Sequence, residues 1–197
     1  MTSSARTPRA DARRNRTGIL DAAVRLLDAQ PEASVDAIAV AAGVTRQTVY
    51  AHFPSREHLM TAVVDRITDE AVAAMDAADP DSGPAADALI RVLQAGAQTA
   101  GRYPGLVQQI SSLPVSPQLD QDRHAPVADR INRVVRRGQQ SGEFDSNLPS
   151  DWLASVIIRI GHAAGEEVDA GRMTSAQATD ALRTVLLRVL APDRAER

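Results

Sequence analysis

The chain has 197 residues, a formal net charge of −3, 44% hydrophobic residues, only 3% aromatic residues and no cysteine. Without cysteine it has no disulfide, no thiolate metal site and no cysteine nucleophile. The four histidines, His52, His58, His124 and His162, form no H-x-x-x-H or H-E-x-x-H pair, which points away from metal catalysis, and no cofactor is expected. With no apolar run of spanning length and no signal-peptide core near Met1, the expected setting is the cytoplasm, with no membrane partner.

The net charge hides an asymmetry. Residues 1–66 hold nine arginines against seven acids, net +2, whereas residues 67–197 hold thirteen against eighteen, net −5. Every basic residue is arginine, which together with the abundant alanine suggests a high-GC bacterial genome. The positive end suits a polyanionic partner.

Residues 1–12 lack an apolar period and read as a flexible basic arm, with Arg6, Arg9, Arg13, Arg14 and Arg16 in or beside it. From Arg13 to Ala29, Ile19, Leu20, Ala23, Val24, Leu26 and Leu27 recur at helical spacing, and Gln30-Pro31-Glu32 ends that helix. A second helix opens at Ser34, whose hydroxyl suits an N-cap, with Asp36 in the positive first turn, and stops at Gly43. A third starts at Thr45 and runs to His52, because Pro54 cannot continue it. Val35, Ile38, Ala42, Val44, Val49 and Phe53 are spaced to point inward, and Ala39 is small where two helices cross. Thr45, Arg46, Gln47, Thr48, Tyr50 and His52 supply donors on the other face of a short rod, the size of object that enters a DNA major groove. The pattern is a helix-turn-helix with a recognition helix; an ordinary corner between two crossed helices is the alternative.

The stretch V-D-A-I-A, then A-G-V-T, then V-Y-A-H-F-P-S-R-E-H-L closely resembles the DNA-binding domain of TetR-family transcriptional regulators over Arg13 to Val64. The resemblance implies an all-α protein of about nine helices, with a helix-turn-helix domain over 13–58 and a larger ligand-binding and dimerisation domain over 59–197. It implies phosphate contacts at Ser34, Thr45, Thr48, Tyr50, His52 and Arg56, all hydrogen-bond donors. Base reading falls to Arg46, which suits guanine O6/N7, and Gln47, which suits adenine N6/N7. Ala51 departs from the larger residue often found there and leaves only a methyl contact.

Ser55 and Glu57 begin a fourth helix that carries Leu59, Val63, Ile67 and Met75 to about Ala78, roughly 35 Å at 1.5 Å per residue. In the TetR family this helix transmits ligand binding to the recognition helix. After the breaker Asp79–Pro84, a fifth helix spans Ala85 to Ala100 and a sixth Leu106 to Ser112, before an interruption at Leu113–Pro117. Between Gln118 and Gln140 a seventh helix is either kinked or restarted at Pro126. Its arginines Arg130, Arg133, Arg136 and Arg137 read as a solvated face paired with nearby acids. A loop over Gly142–Pro149 tucks in Phe144 and Leu148, and helices follow over Asp151–Ala170 and Thr174–Leu190. Their apolar surface and small residues make them candidates for a four-helix homodimer interface through Val156, Ile160, Ala164, Leu182, Leu186 and Val189.

By resemblance, a ligand pocket lies among the fourth to eighth helices, with Tyr103, Trp152, Arg159 and His162 as candidate contacts and packing or plain exposure as their alternative. The reading is a dimeric, sequence-specific DNA-binding regulator, a repressor released from a palindromic operator by a small hydrophobic effector. A helical adaptor that keeps the helix-turn-helix but binds protein is the second reading. An enzyme is not expected: His162 and Glu166, four apart on one helix, are explained by surface hydrogen bonding.

Overall fold

A computed structural model describes residues 8–112 and 117–192. Nine helices and no strand occur among the described residues: α1 Pro8–Ala29, α2 Val35–Ala41, α3 Arg46–His52, α4 Arg56–Ala77, α5 Ala85–Ala100, α6 Pro104–Ser112, α7 Pro117–Ser141, α8 Ser150–Asp169 and α9 Ser175–Val189. No described helix is long and apolar enough to cross a membrane.

Several helix ends follow local chemistry. Ser34 Oγ accepts the Ala37 N–H at 3.2 Å, and Thr45 Oγ1 accepts the Thr48 N–H at 3.1 Å, so α2 and α3 each begin on a side-chain cap. Gly43 takes φ +68, the left-handed conformation that turns the chain between them without a side-chain clash. Thr174 and Gln177 form a reciprocal capping box at the start of α9. One element differs from expectation, and for another the sequence left two courses open. α1 begins at Pro8 rather than Arg13, so residues 8–12 belong to a helix and not to an arm, while residues 1–7 lie outside the described residues. Proline at the first position and Asp11 in the first turn suit a helix start. α7 runs through Pro126 as one helix, and the expected interruption at 113–117 lies largely outside the described residues.

The chain divides into two compact units. Among the described residues, one holds 8–67 and 102–112, and the other holds 68–101 and 117–192. The boundary therefore falls inside α4, between Ile67 and Thr68, rather than between residues 58 and 59, and the first unit also takes α6. The reason is packing: Leu106 of α6 is fully buried in the core formed by Ile19, Leu27, Ile38, Val49, Leu59 and Val63. Asp28 Oδ1 accepts the Leu106 N–H at 3.2 Å, and Gln109 donates to the Pro31 carbonyl at 3.1 Å. Gly105 permits the approach, since a Cβ there would sit 2.1 Å from the Asp28 carbonyl oxygen.

The second unit has its own core of Met75, Leu89, Val92, Ile131, Val135, Phe144, Leu153, Ile157, Leu186 and Leu190. Within it α5 packs on α7, α7 on α8, and α8 on α9. The arginine face of α7 is paired: Arg130 grips Asp76 with two bonds of 3.1 and 3.0 Å, Arg133 meets Asp81, Arg136 meets Asp151 at 3.3 Å, and Arg137 donates to the Gly83 carbonyl at 2.7 Å. The Arg130 guanidinium holds the Asp76 carboxyl below its ordinary pKa.

Leu186 corrects the expected interface. It is 1% exposed within its own unit, because Ala178, Leu182, Leu186 and Leu190 recur every four residues and form the stripe of α9 that closes on the core. It is not available to a second subunit, and Leu182 packs partly against the same core. Val185, Leu187 and Val189 are the large apolar residues that α9 exposes.

Candidate nucleic-acid interface

The site is built on α3. Val49 is buried and fixes the helix to the first unit's core, while Arg46 and Gln47, one turn or less away, are exposed. Seven residues give α3 less than two turns of regular hydrogen bonding, so tertiary anchoring through Val49, with Phe53 buried just beyond the helix end, sets its position. Tyr50 is half-buried and packs against the core, and its ring lies 5.4 Å from the Arg46 guanidinium carbon. Thr45 and Thr48 share a hydrogen bond of 2.8 Å at the amino end, and His52 is half-buried at the other.

Arg46 is held more firmly than an exposed arginine needs to be. Its Nη1 donates to Asp36 Oδ2 at 2.7 Å, and its Nη2 lies 3.5 Å from the Tyr50 hydroxyl. The Tyr50 hydroxyl and the Asp36 carboxylate both favour the charged guanidinium and raise its pKa above the ordinary arginine value. Asp36 entered the sequence reading only as a first-turn acid; its partner lies ten residues away, beyond the reach of helical periodicity.

Ser34 spends its hydroxyl oxygen on capping α2 but keeps its own O–H to donate. Arg56 is placed differently from the others. Its Nη1 donates to the Ala33 carbonyl at 2.5 Å and its Nη2 to the Pro31 carbonyl at 3.4 Å, so it braces the start of α4 against the turn between α1 and α2. Ser55 caps the same helix by accepting the His58 N–H at 3.2 Å. Arg16, counted with the arm in the sequence, lies over the Phe53 ring at 5.1 Å, and Arg14 is paired with Asp11. Val40 is a further residue to which sequence reasoning gave no place. It is exposed on α2, on the side opposite Ile38 and Ala39, and the helical period of that segment already carried the signal.

The candidate effector contacts do not share an environment. Tyr103 packs against the core of the first unit. Trp152, Arg159 and His162 are exposed on α8 in the second, where the His162 ring stands 5.0 Å from that of His124. Two clefts in the second unit are lined instead by charged side chains, among them Asp76, Asp81, Asp129, Arg133 and Arg136. Among the described residues no group of three His, Asp or Glu side chains is placed to hold a metal ion.

Residues 19–63, which contain this site, match the family described as bacterial regulatory proteins, tetR family. Over 81 residues the chain is 44% identical to the HTH-type transcriptional repressor LfrR of Mycolicibacterium smegmatis, a match spanning 41% of this chain and 43% of that repressor. The crystal structure of the TetR-like transcriptional regulator LfrR from Mycobacterium smegmatis in complex with proflavine is 30% identical, with a TM-score of 0.65 over 91% of this chain and 98% of the other. A TetR family transcription regulator from Marinobacter aquaeolei VT8 shares the fold at 20% identity, with a TM-score of 0.68 over 93% of this chain and 97% of the other. The chain belongs to the TetR family of bacterial regulatory proteins.

Proposed function

We propose that the protein is a dimeric, sequence-specific DNA-binding repressor that α3 seats in the major groove of a palindromic operator and that a small hydrophobic effector releases. The observation that carries this reading is the presentation of Arg46 and Gln47, exposed on a helix whose opposite side is anchored by buried Val49. Arginine and glutamine offer paired donors, or a donor and an acceptor, that match guanine and adenine edges. Thr45, Thr48, Tyr50, His52 and Ser34 surround them with short donors suited to phosphate oxygens. Arg56 contributes first as a brace, and its donors to phosphate are those its two carbonyl bonds leave over.

A second copy is needed for useful affinity, because one short helix reads few base pairs. The outer face of α9, with Val185 and Val189, and the small-residue stretch of α8 around Gly161, Ala164 and Gly165 support the dimer seam. A Cβ added at Gly161 or Gly165 would meet nothing within 4 Å, so a partner helix has room to approach. Val156, Ile160 and Ala164, half-buried along α8, lie four residues apart and fit the same seam.

The proflavine complex of LfrR supports a small-molecule effector for this chain as well. Trp152, Arg159 and His162 remain the candidate contacts on α8, and Tyr103, packed in the first unit, is the weakest of the four. Release follows if the effector binds better to a conformation unfit for the operator.

The test is selection of duplexes from a random library by the purified protein, followed by gel-shift titration with and without proflavine. Enrichment of a palindrome, with a salt-sensitive shift, is the expected result. Failure to enrich any duplex overturns the reading in favour of an adaptor that binds protein.

A further inference from the structure

We infer that Asp36 is a specificity-determining positioning residue: it fixes the Arg46 guanidinium in a base-reading pose and keeps its charge from being spent on phosphates. The inference rests on the DNA-binding reading above. Its basis is a contact between the first turn of α2 and the first residue of α3, Arg46 Nη1 to Asp36 Oδ2 at 2.7 Å. The Tyr50 ring lies beside the same guanidinium, 5.4 Å from its central carbon.

Both members of the pair are open to solvent, with side-chain exposures of 59% for Arg46 and 57% for Asp36. A carboxylate so exposed beside a reading helix is costly for affinity, since it faces a polyanion. Its presence is accounted for by what it does to Arg46. An unheld arginine is long and rotamer-rich, and it satisfies itself on whichever phosphate is nearest, irrespective of sequence. Paired with Asp36, the guanidinium loses most of its long-range pull on the duplex but keeps its short-range directional donors. A guanidinium carries five N–H donors, so the bond to Asp36 and the longer one to the Tyr50 hydroxyl leave three, enough for a pair of bonds to guanine O6 and N7. The pair therefore trades affinity for discrimination.

The competing account makes Asp36 only a favourable charge in the first turn of α2. That role requires no partner ten residues away, and Ser34 already caps the helix. The two accounts differ in what they predict for the ratio of specific to non-specific binding.

The experiment uses the full-length protein, the duplex that wild type enriches from a random library, the same duplex with one guanine per half-site replaced, and a scrambled duplex. Asp36→Asn is expected to bind the scrambled duplex about two- to fivefold more tightly, the range of an exposed ion pair. Its log–log salt slope steepens by about 0.9 per phosphate newly engaged. Discrimination against the guanine-replaced duplex falls by a similar factor. In an Arg46→Ala background the Asp36→Asn change leaves that discrimination unaltered. Equal weakening on all three duplexes with a lowered melting temperature overturns the inference in favour of the helix-start role. So does an unchanged ratio and slope in a wild-type-like variant. A wild-type protein that enriches no duplex overturns the DNA-binding reading and this inference with it.

Discussion

The outer face of α9 provides the sharpest test of assembly, through a paired substitution of Val185 and Val189 by arginine. Val185 is 42% exposed and Val189 37%, so each leaves about two fifths of a side chain for a partner to cover. Fully burying a valine stabilises by about 1.5–3 kcal/mol, which puts the remaining share at about 0.6–1.2 kcal/mol per side chain. Two-fold symmetry counts each residue twice, so the four side chains together contribute about 2.5–5 kcal/mol. At about 1.4 kcal/mol per decade, the double variant is expected to weaken dimerisation by about two to three and a half orders of magnitude, before the added cost of desolvating arginine. Sedimentation velocity over a concentration series measures the shift, and a circular dichroism melt confirms that each subunit stays folded. Leu186→Ala serves as the contrast. Buried within its own core, it is expected to lower folding stability by about 2–5 kcal/mol. A double variant that sediments as a dimer at wild-type concentrations refutes the assignment of this face.

Three further outcomes follow from the same contacts. Arg46→Ala is expected to cost about 1–3 kcal/mol of discrimination at one base position per half-site, measured by gel shift, while the dimer persists; undiminished operator binding would remove Arg46 from base reading. Gly105→Ala forces a methyl group to within 2.1 Å of the Asp28 carbonyl oxygen and should destabilise the first unit by about 1–3 kcal/mol, read as a lowered melting temperature. Asp76→Asn tests the pair with Arg130. Because the folded pKa of Asp76 lies below 3.8, its contribution is present above that value and disappears as pH falls through the folded value. With side-chain exposures of 31% and 45% the pair is screened, so the variant should lose no more than about 1 kcal/mol near neutrality and nothing in strong acid. A loss that persists unchanged at low pH would mean the side chain matters for something other than its charge.

The first unit was legible where its structure is local. The cap at Ser34, the start of α3 next to Thr45, the turn at Gly43 and the inward set Val35, Ile38, Val49 and Phe53, with Ala42 and Val44 half-buried beside them, follow from spacing and backbone chemistry. What the sequence hid depends on contacts between distant residues. Arg56 meets a carbonyl twenty-three residues away, Asp36 a guanidinium ten away, and α6 joins a core whose other members end at residue 67. α9 shows the limit most plainly. It carries apolar residues both at 182, 186 and 190 and at 185 and 189, and periodicity cannot decide which stripe meets the chain's own core. Only the packing of α9 on α8 and α5 selects Leu186 for the inside.

The arginines explain why an assembly of two copies matters to the proposed function. Among the described residues, part of the positive charge of the first unit is paired within the chain. Arg14 is paired with Asp11, Arg46 with Asp36 and Arg66 with Asp21, while Arg56 is tied to two backbone carbonyls. Ion pairing of this kind lowers the number of counterions one reading head can release from a duplex, and with it the non-specific component of binding. A single head then leans on directional bonds from Arg46, Gln47 and a few hydroxyls, which discriminate well but hold weakly. Joining two heads converts the second contact into an intramolecular one and multiplies affinity without adding charge. On the proposed reading, an effector that spoils the spacing of the two heads is enough for release, because a single head holds the operator only weakly.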